Sequence, residues 1–333
     1  MTRLTLLWCV VVGVGLLAAT GNRTAITRSG HGAAWSGADG ISVMTYNAHW
    51  AEQTDARTGR WTGEIDLGRI AREIRGAGAE IVFLQELQSY RVGARQLSEA
   101  KALARMLGWT RGGVSTHAMF RSTAPLATWC RRNSGRAVVR SLDGRPARCL
   151  AHGNALLSKW PLLRGAAINL FRPDGNLLDG DLYGAPEGRN SLRASIFVDG
   201  GALWIATLQL GRQPEIAACQ LRDLLETLDR VRPLLLGGDF NIETRTEVSR
   251  PRCDGVPPRP LDQLARAGLI RGEPAGRTYP AFRPDERIDH LFASVGLALR
   301  HVRPQDNCYR RRCSSDHRPL VAEVLRSPLT APR

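Results

Sequence analysis

Short apolar runs recur along most of the 333-residue chain, and several of them end in a cluster of amides, carboxylates or histidine. Ile41 to Tyr46, Ile81 to Leu84, Leu234 to Leu236 and the stretch around Ile288 to Phe292 read as strands, with their polar clusters at or near the strand ends. Between them the spacing turns helical: Leu67, Ile70 and Ile74 lie on one face of a helix over Ile65 to Ala77, and Leu97 to Leu107 repeats that period. Gly153 to Lys159, Leu162 to Phe171, Ser191 to Val198 and Ala202 to Leu210 read as successive strands of a meander. A helix from Pro214 to Val231, one near Leu261 to Ala267, and terminal strands at Arg287 to Ala293, Leu297 to His301 and Pro319 to Leu325 complete the pattern. Strands outnumber helices in both halves. The fold predicted is therefore α/β of the α+β kind: a four-layer sandwich of two mainly antiparallel β-sheets flanked by helices.

The first 40 residues do not fit that domain. An apolar segment from Leu4 to Ala19 follows Arg3 and precedes Ala19-Thr20-Gly21, which marks residues 1–21 as a signal peptide or an N-terminal membrane anchor. Either puts the rest outside the cytoplasm, secreted or held to the membrane through residues 4–20. Residues 22–40 read as a flexible linker, 41–326 as one domain, and 327–333 as a disordered tail. Stretches 121–152 and 172–190 read as surface insertions rich in arginine, glycine, aspartate and proline. Beyond Cys9, cysteines stand at 130, 149, 219, 253, 308 and 313, an even set that fits an oxidising compartment. Pairs 130–149 and 308–313 would staple an insertion and a short loop. Cys219, on the helix, reads equally as a buried small hydrophobe.

The net charge of +15 favours anionic partners, but lysine occurs only at 101 and 159, and the arginine excess is spread over the whole chain. The densest run, Arg310 to Arg312, lies just before Ser315-Asp316-His317. What changes the picture is the ordered set of clusters: Met44-Thr45-Tyr46-Asn47, Phe83-Leu84-Gln85-Glu86, Gly153-Asn154-Ala155-Leu156-Leu157-Ser158, Gly237-Gly238-Asp239-Phe240-Asn241, Arg287-Ile288-Asp289 and Ser315-Asp316-His317. The set resembles the endonuclease/exonuclease/phosphatase family, metal-dependent phosphohydrolases with a deoxyribonuclease I-like fold.

The resemblance implies a magnesium site, open also to manganese, with Glu86 as principal ligand and Asn47 and Asp316 completing it. It implies that Asp239 and Asn241, two apart on an extended segment, orient water and a phosphate oxygen. Asp289 and His317 match the family's Asp-His pair, in which the carboxylate fixes the imidazole that meets the phosphate or the leaving oxygen. Gln209 falls where many relatives carry a second histidine; it can donate to a phosphate oxygen but cannot serve as a general acid near neutral pH. The other six histidines, at 31, 49, 117, 152, 290 and 301, read as surface or satisfied polar groups.

These features imply an exported Mg2+-dependent hydrolase of phosphate esters, a phosphodiesterase or nuclease using in-line attack of water. Positive charge favours nucleic acid over phospholipid as substrate, with a sphingomyelinase-like phosphodiesterase as the alternative and no protein partner expected. Trp50, Trp61 and Trp129 would stack on bases in the first case or enter a bilayer in the second, where simple packing is the plainer reading. A reading of another class, motivated by Gln209, is a phosphoester-binding module that lost turnover.

Overall fold

The computed structural model describes residues 40–92, 95–110, 118–122, 139–140, 146–170, 189–198, 200–273 and 276–326. These all fall within one compact unit, 33–333. The export segment, the linker, Cys130, Trp129, His31, His117, most of both insertions and the tail lie outside the described residues.

Two large sheets carry the fold. The first runs in the order β15 (Leu297–Pro304), β18 (Leu320–Arg326), β1 (Ile41–Asn47), β4 (Ile81–Val92), β8 (Pro146–Ser158) and β6 (Ala118–Ser122). Strand β5 (Arg95–Ser98) pairs with β4, and β7 (Val139–Arg140) with β8. The second runs β13 (Leu269–Arg271), β14 (Asp289–Ser294), β12 (Leu234–Asp239), β11 (Gly201–Gln209), β10 (Asn190–Val198) and β9 (Leu163–Asn169). Pairing is antiparallel except between β1 and β4 and between β11 and β12.

Alternation along the strands builds the layers. On β1, Ile41 and Val43 join Ile81, Phe83 and Leu156 in a core shared with Leu192, Ile205, Leu235 and Leu291 of the second sheet. Met44 and Tyr46 point the other way, against helix α1 (Leu67–Gly76) through Ile70 and Ile74, and against helix α2 (Glu99–Met106) through Leu103. Helix α3 (Pro214–Leu228) and helix α4 (Asp262–Arg266) cover the far side of the second sheet with Leu221, Leu224 and Leu264 over Leu208, Leu236 and Phe292. Helix, sheet, sheet and helix are the four layers expected.

Several local expectations shift. Helix α1 starts at Leu67 rather than Ile65 because Asp66 caps it, its carboxylate accepting from the Arg69 amide at 2.9 Å. The predicted helix from Leu97 opens as strand β5 and becomes helical only after Ser98, whose hydroxyl caps Lys101. A third sheet was not predicted: β16 (Cys308–Tyr309), β17 (Arg312–Cys313), β2 (Glu52–Asp55) and β3 (Trp61–Ile65). Disulfide Cys308–Cys313 closes its hairpin as expected. Cys219 is not a free hydrophobe: it is bonded to Cys253 and ties α3 to the loop that follows β12.

Gly237 and Gly238 on β12 set how closely the sheets and strands approach. A Cβ on Gly237 would meet the Phe83 ring at 2.5 Å, and one on Gly238 the backbone oxygen of Leu208 at 2.2 Å. Gly238→Ala should therefore cost about 1–3 kcal/mol or more. Gly76→Ala, at an exposed end of α1 with nothing within 4 Å, should be neutral or add about 0.5–1 kcal/mol. Urea denaturation of both variants checks this, and a Gly238→Ala protein of wild-type stability would contradict the tight contact.

Candidate active site

Polar side chains from both large sheets meet where β1, β11 and β12 end, beside the middle of β4, which continues past the expected strand end to Val92. Strict alternation after Phe83 and Gln85, which face the second sheet, would turn Glu86 toward the helices. It does not go there. The β4–β8 register shifts between Leu84 and Leu87, leaving two residues of β4 opposite one of β8, and Glu86 adopts a left-handed φ of 55°. This β-bulge re-aims the carboxylate at the sheet interface. There its Oε1 accepts from Asn47 Nδ2 at 3.1 Å and from Gln209 Nε2 at 2.7 Å.

Asn47 ends β1 and holds two acids at once, since Nδ2 also donates to Asp239 Oδ2 at 3.1 Å. Its own Oδ1 accepts from the His49 amide at 3.1 Å, which fixes the orientation of the side-chain amide. Asn241 is not on an extended segment as expected. It has φ 50° and its backbone N–H donates to Asp239 Oδ1 at 2.9 Å, an Asx turn at the end of β12. The two side chains still converge: Asn241 Nδ2 lies 3.4 Å from Asp239 Oδ2 while donating to Leu210 O at 2.9 Å.

Asp289 and His317 pair through Oδ2 and Nδ1 at 2.9 Å, both buried. His317 Nε2 is 3.5 Å from Asn47 Nδ2, so the imidazole closes the ring of groups. Asp316 is more peripheral than expected. Ser315 Oγ lies 3.3 Å from Asp316 Oδ1 and donates to Asn47 O at 2.7 Å, but among the described residues no hydrogen bond joins Asp316 to Glu86 or to the Asn47 side chain. Gln209 Nε2 donates to Glu86 and lies 3.4 Å from Asp239, so its donors are spent on carboxylates rather than held open for a substrate.

Burial works against every charge here. It pushes the Asp239 carboxyl up to about 6, with Asp289 and Glu86 adding to the rise and His317 opposing it. Burial disfavours charged His317 too, yet the carboxylates of Asp289, Asp239 and Asp316 outweigh it and raise the imidazole to about 10. For Glu86 burial is again opposed and outweighed, by His152 and His49 first and then by the amides of Asn47 and Gln209, and the carboxyl falls to about 2.

Ligand atoms of Asp239, Asp289 and His317 lie within 4.8 Å of one another. Asp289 Oδ1 is buried without a hydrogen-bond partner among the described residues. The buried carboxylates of Asp239 and Asp289, the half-buried one of Glu86 and one imidazole form an oxygen-rich donor set that fits a hard divalent cation.

Two groups of residues escaped sequence reasoning. His49 and His152 sit beside Glu86: His49 packs on Trp50 and Trp61 with ring centroids 4.1 and 4.8 Å away, and Trp50 Nε1 donates to His152 Nδ1 at 2.7 Å. His49, Trp50 and Ala51 all have left-handed φ, strain that clusters at functional sites. Their nearness to Asn47 in the chain was the available signal. Behind the site, Glu73 of α1 accepts from Ser314 Oγ at 2.6 Å and from Tyr46 OH at 3.1 Å. Asn307 Nδ2 donates to Tyr46 OH at 3.0 Å and to His317 O at 2.8 Å. This network clamps the residues next to Asn47 to the loop carrying His317.

The model of the Endonuclease/Exonuclease/phosphatase family matches residues 44–317. No curated protein matches the chain. Among solved structures, an endonuclease/exonuclease/phosphatase from Beutenbergia cavernae is 23% identical with TM-score 0.61, over 89% of this chain and 74% of that one. A mannosyl-6-phosphatase from Bacteroides thetaiotaomicron is 14% identical with TM-score 0.54, over 86% and 99%. The human Nocturnin catalytic domain with bound sulfate is 18% identical with TM-score 0.51, over 87% and 94%. At these identities the likeness is one of fold.

Burial raises the Glu73 carboxyl from 4.5 to about 7, against the bonds from Ser314 and Tyr46 and the charge of Arg69. A raised folded-state value means that this group's stability is present below about pH 4.5 and is lost as pH rises through about 7. The loss is on the order of 3 kcal/mol between those limits. Glu73→Gln should flatten that part of the curve in urea denaturation at pH 5 and pH 8. Parallel curves for the two proteins would show that Glu73 is not charged at a cost.

Proposed function

The chain belongs to the Endonuclease/Exonuclease/phosphatase family, hydrolases of phosphate esters, and within it we propose an exported, divalent-metal-dependent phosphodiesterase acting on nucleic acid. The observation that carries this reading is the meeting of Asn47, Glu86, Asp239 and the Asp289–His317 pair at one edge of both sheets. Magnesium, or manganese in its place, would be held by Glu86 and Asn47 with Asp239 and Asp289 in reach, and when bound would polarise a phosphate oxygen.

The chain's own groups supply the rest. Asp239, with its carboxyl raised by burial, takes a proton from water near neutral pH better than an ordinary aspartate does. Asn241, fixed in the Asx turn, keeps its amide beside the same carboxylate, where it can orient the water or the phosphate. His317 is held by Asp289 with Nδ1 engaged, which leaves the Nε2 proton for a phosphate oxygen or the leaving oxygen. Asp316 would act through Ser315, which links it to Asn47.

Gln209 replaces a family histidine and motivates the inactive-binder reading. Its bond to Glu86 at 2.7 Å gives it a different task, holding an acid in place, which a pure phosphoester binder would not need. Export is supported by the disulfides Cys219–Cys253 and Cys308–Cys313, bonds that persist in oxidising compartments. No helix among the described residues is long and apolar enough to cross a membrane.

The test is hydrolysis of plasmid DNA, bis-p-nitrophenyl phosphate and sphingomyelin vesicles in parallel, with magnesium and after EDTA. Metal-dependent turnover of the first two is expected, and Asp239→Ala or His317→Ala should each lower kcat/KM by about 10²–10⁴ or more. Turnover confined to sphingomyelin would move the substrate to lipid. Wild-type rates in either variant would sink the role given to that residue.

A further inference from the structure

The third sheet belongs to neither core layer, and it leads directly into the site. Strand β2 follows His49 by three residues, and β17 ends at Cys313, one residue before Ser314 and the Ser315-Asp316-His317 cluster. Trp61 of β3 packs on His49 with centroids 4.8 Å apart. A second link runs along the loop after Thr278: Tyr279 packs on His317 at 4.7 Å, and Phe282 packs against Gly59, between β2 and β3.

At the far end of this sheet two tips are joined. The turn between β2 and β3 carries Arg57 and Arg60, and the hairpin between β16 and β17 carries Arg310 and Arg311. The Ala56 amide donates to Arg311 O at 2.9 Å, so the tips touch through backbone. Left-handed φ at Arg310 and Arg311 makes the tight hairpin, and the Cys308–Cys313 disulfide closes it.

Charge on the sheet is not balanced within it. Its three acids are engaged: Asp55 accepts from the Arg57 and Thr58 amides, Glu52 from the Gly63 amide, and Glu64 pairs with Arg312. Arg57, Arg60, Arg310 and Arg311 are exposed and make no ion pair among the described residues. Beside them Tyr309 is 65% exposed and Trp61 47% exposed.

Resting on the reading of the site as a nucleic-acid phosphodiesterase, we propose that this stapled sheet is a docking track for an unpaired stretch of nucleic acid, its phosphates on the four arginines and its bases on Tyr309 and Trp61. Four guanidinium groups without an ion pair among the described residues suit successive phosphates, and the exposed rings offer a face to an unpaired base, Tyr309 with the Arg310 guanidinium 5.2 Å from its centroid on one side. A membrane is the poorer occupant, because the large exposed hydrophobics on this sheet are only these two amphipathic rings, with no aliphatic side chain to insert. Arg311 and Arg310 stand two and three residues before Cys313, about 7–10 Å at 3.3 Å per residue, just ahead of the strand that leads into the Ser315-Asp316-His317 loop.

Binding separates this inference from turnover. Fluorescence anisotropy of a labelled oligothymidylate with the full chain carrying Asp239→Asn, magnesium present, is measured over a salt series. Adding Arg57→Gln, Arg60→Gln, Arg310→Gln and Arg311→Gln together should weaken binding and reduce the slope of log affinity on log salt by about 2–3, at roughly 0.7 for each phosphate no longer neutralised. Tyr309→Ala should weaken binding about 5- to 150-fold without changing that slope. Arg266→Gln with Arg300→Gln, exposed arginines elsewhere on the domain, should do neither. Equal losses from the control pair, or capture of anionic vesicles in place of the oligonucleotide, would overturn the track. Track-dependent binding by a wild-type chain that hydrolyses no diester would support the track and count against the catalytic reading.

Discussion

Burying acidic groups together where two sheets meet is the constraint on which the rest of this structure turns. An unpaired buried charge costs several kcal/mol, so Asp239 and Asp289, and half-buried Glu86 beside them, are tolerated only because donors were brought to them. Asn47 spans two of them with one amide, Gln209 ties Glu86 from the opposite sheet, and His317 meets Asp289. None of these donors neighbours its acid in sequence. The approach of the sheets is therefore a condition for the site, and Gly237 permits it, because Phe83 of the first sheet packs where its side chain would be; Gly238 does the same within the second sheet, where Leu208 O of β11 fills the place of a side chain.

Backbone geometry adds a second layer of control. A regular β4 would send Glu86 to the helix side and leave Asn47 and Gln209 facing Asp239 alone. The bulge reverses that at the cost of a left-handed non-glycine residue, about 1–3 kcal/mol. Asn241 repeats the device at the end of β12, where the short amide tolerates the same region and the Asx turn compensates it. Further out, the Glu73, Tyr46, Ser314 and Asn307 network fixes the His317 loop against α1, so the position of the imidazole depends on a helix in another layer.

What the sequence discloses follows from this division. Period-2 alternation and helical spacing reveal the four layers because the three cores between them impose it, and the polar clusters where apolar runs stop reveal Asn47, Glu86, Asp239, Asp289 and His317. Glu52–Asp55 buries two adjacent polar residues, Gln53 and Thr54, and Trp61–Ile65 buries none fully, so neither carries an apolar alternation and the third sheet stayed invisible. Bulges and Asx turns are single-residue events that no period records. Glu73 reads as part of the polar face of α1, because only its distant partners Tyr46 and Ser314 reveal that it is inside. Cys219 and Cys253, 34 residues apart, carry no local signal of their pairing.

The glutamine at 209 is best understood through the charge it does not carry. A histidine there would bring a cation to the two acids, whereas the amide brings only dipoles. Around Glu86, His152 and His49 are the strongest influences opposing burial on its carboxyl. Both lie at the rim formed by Trp50 and Trp61. The strained run from His49 to Ala51 turns the chain sharply after Asn47 and sets the His49 ring against Trp61, on the other side of the acid that Gln209 holds from the second sheet.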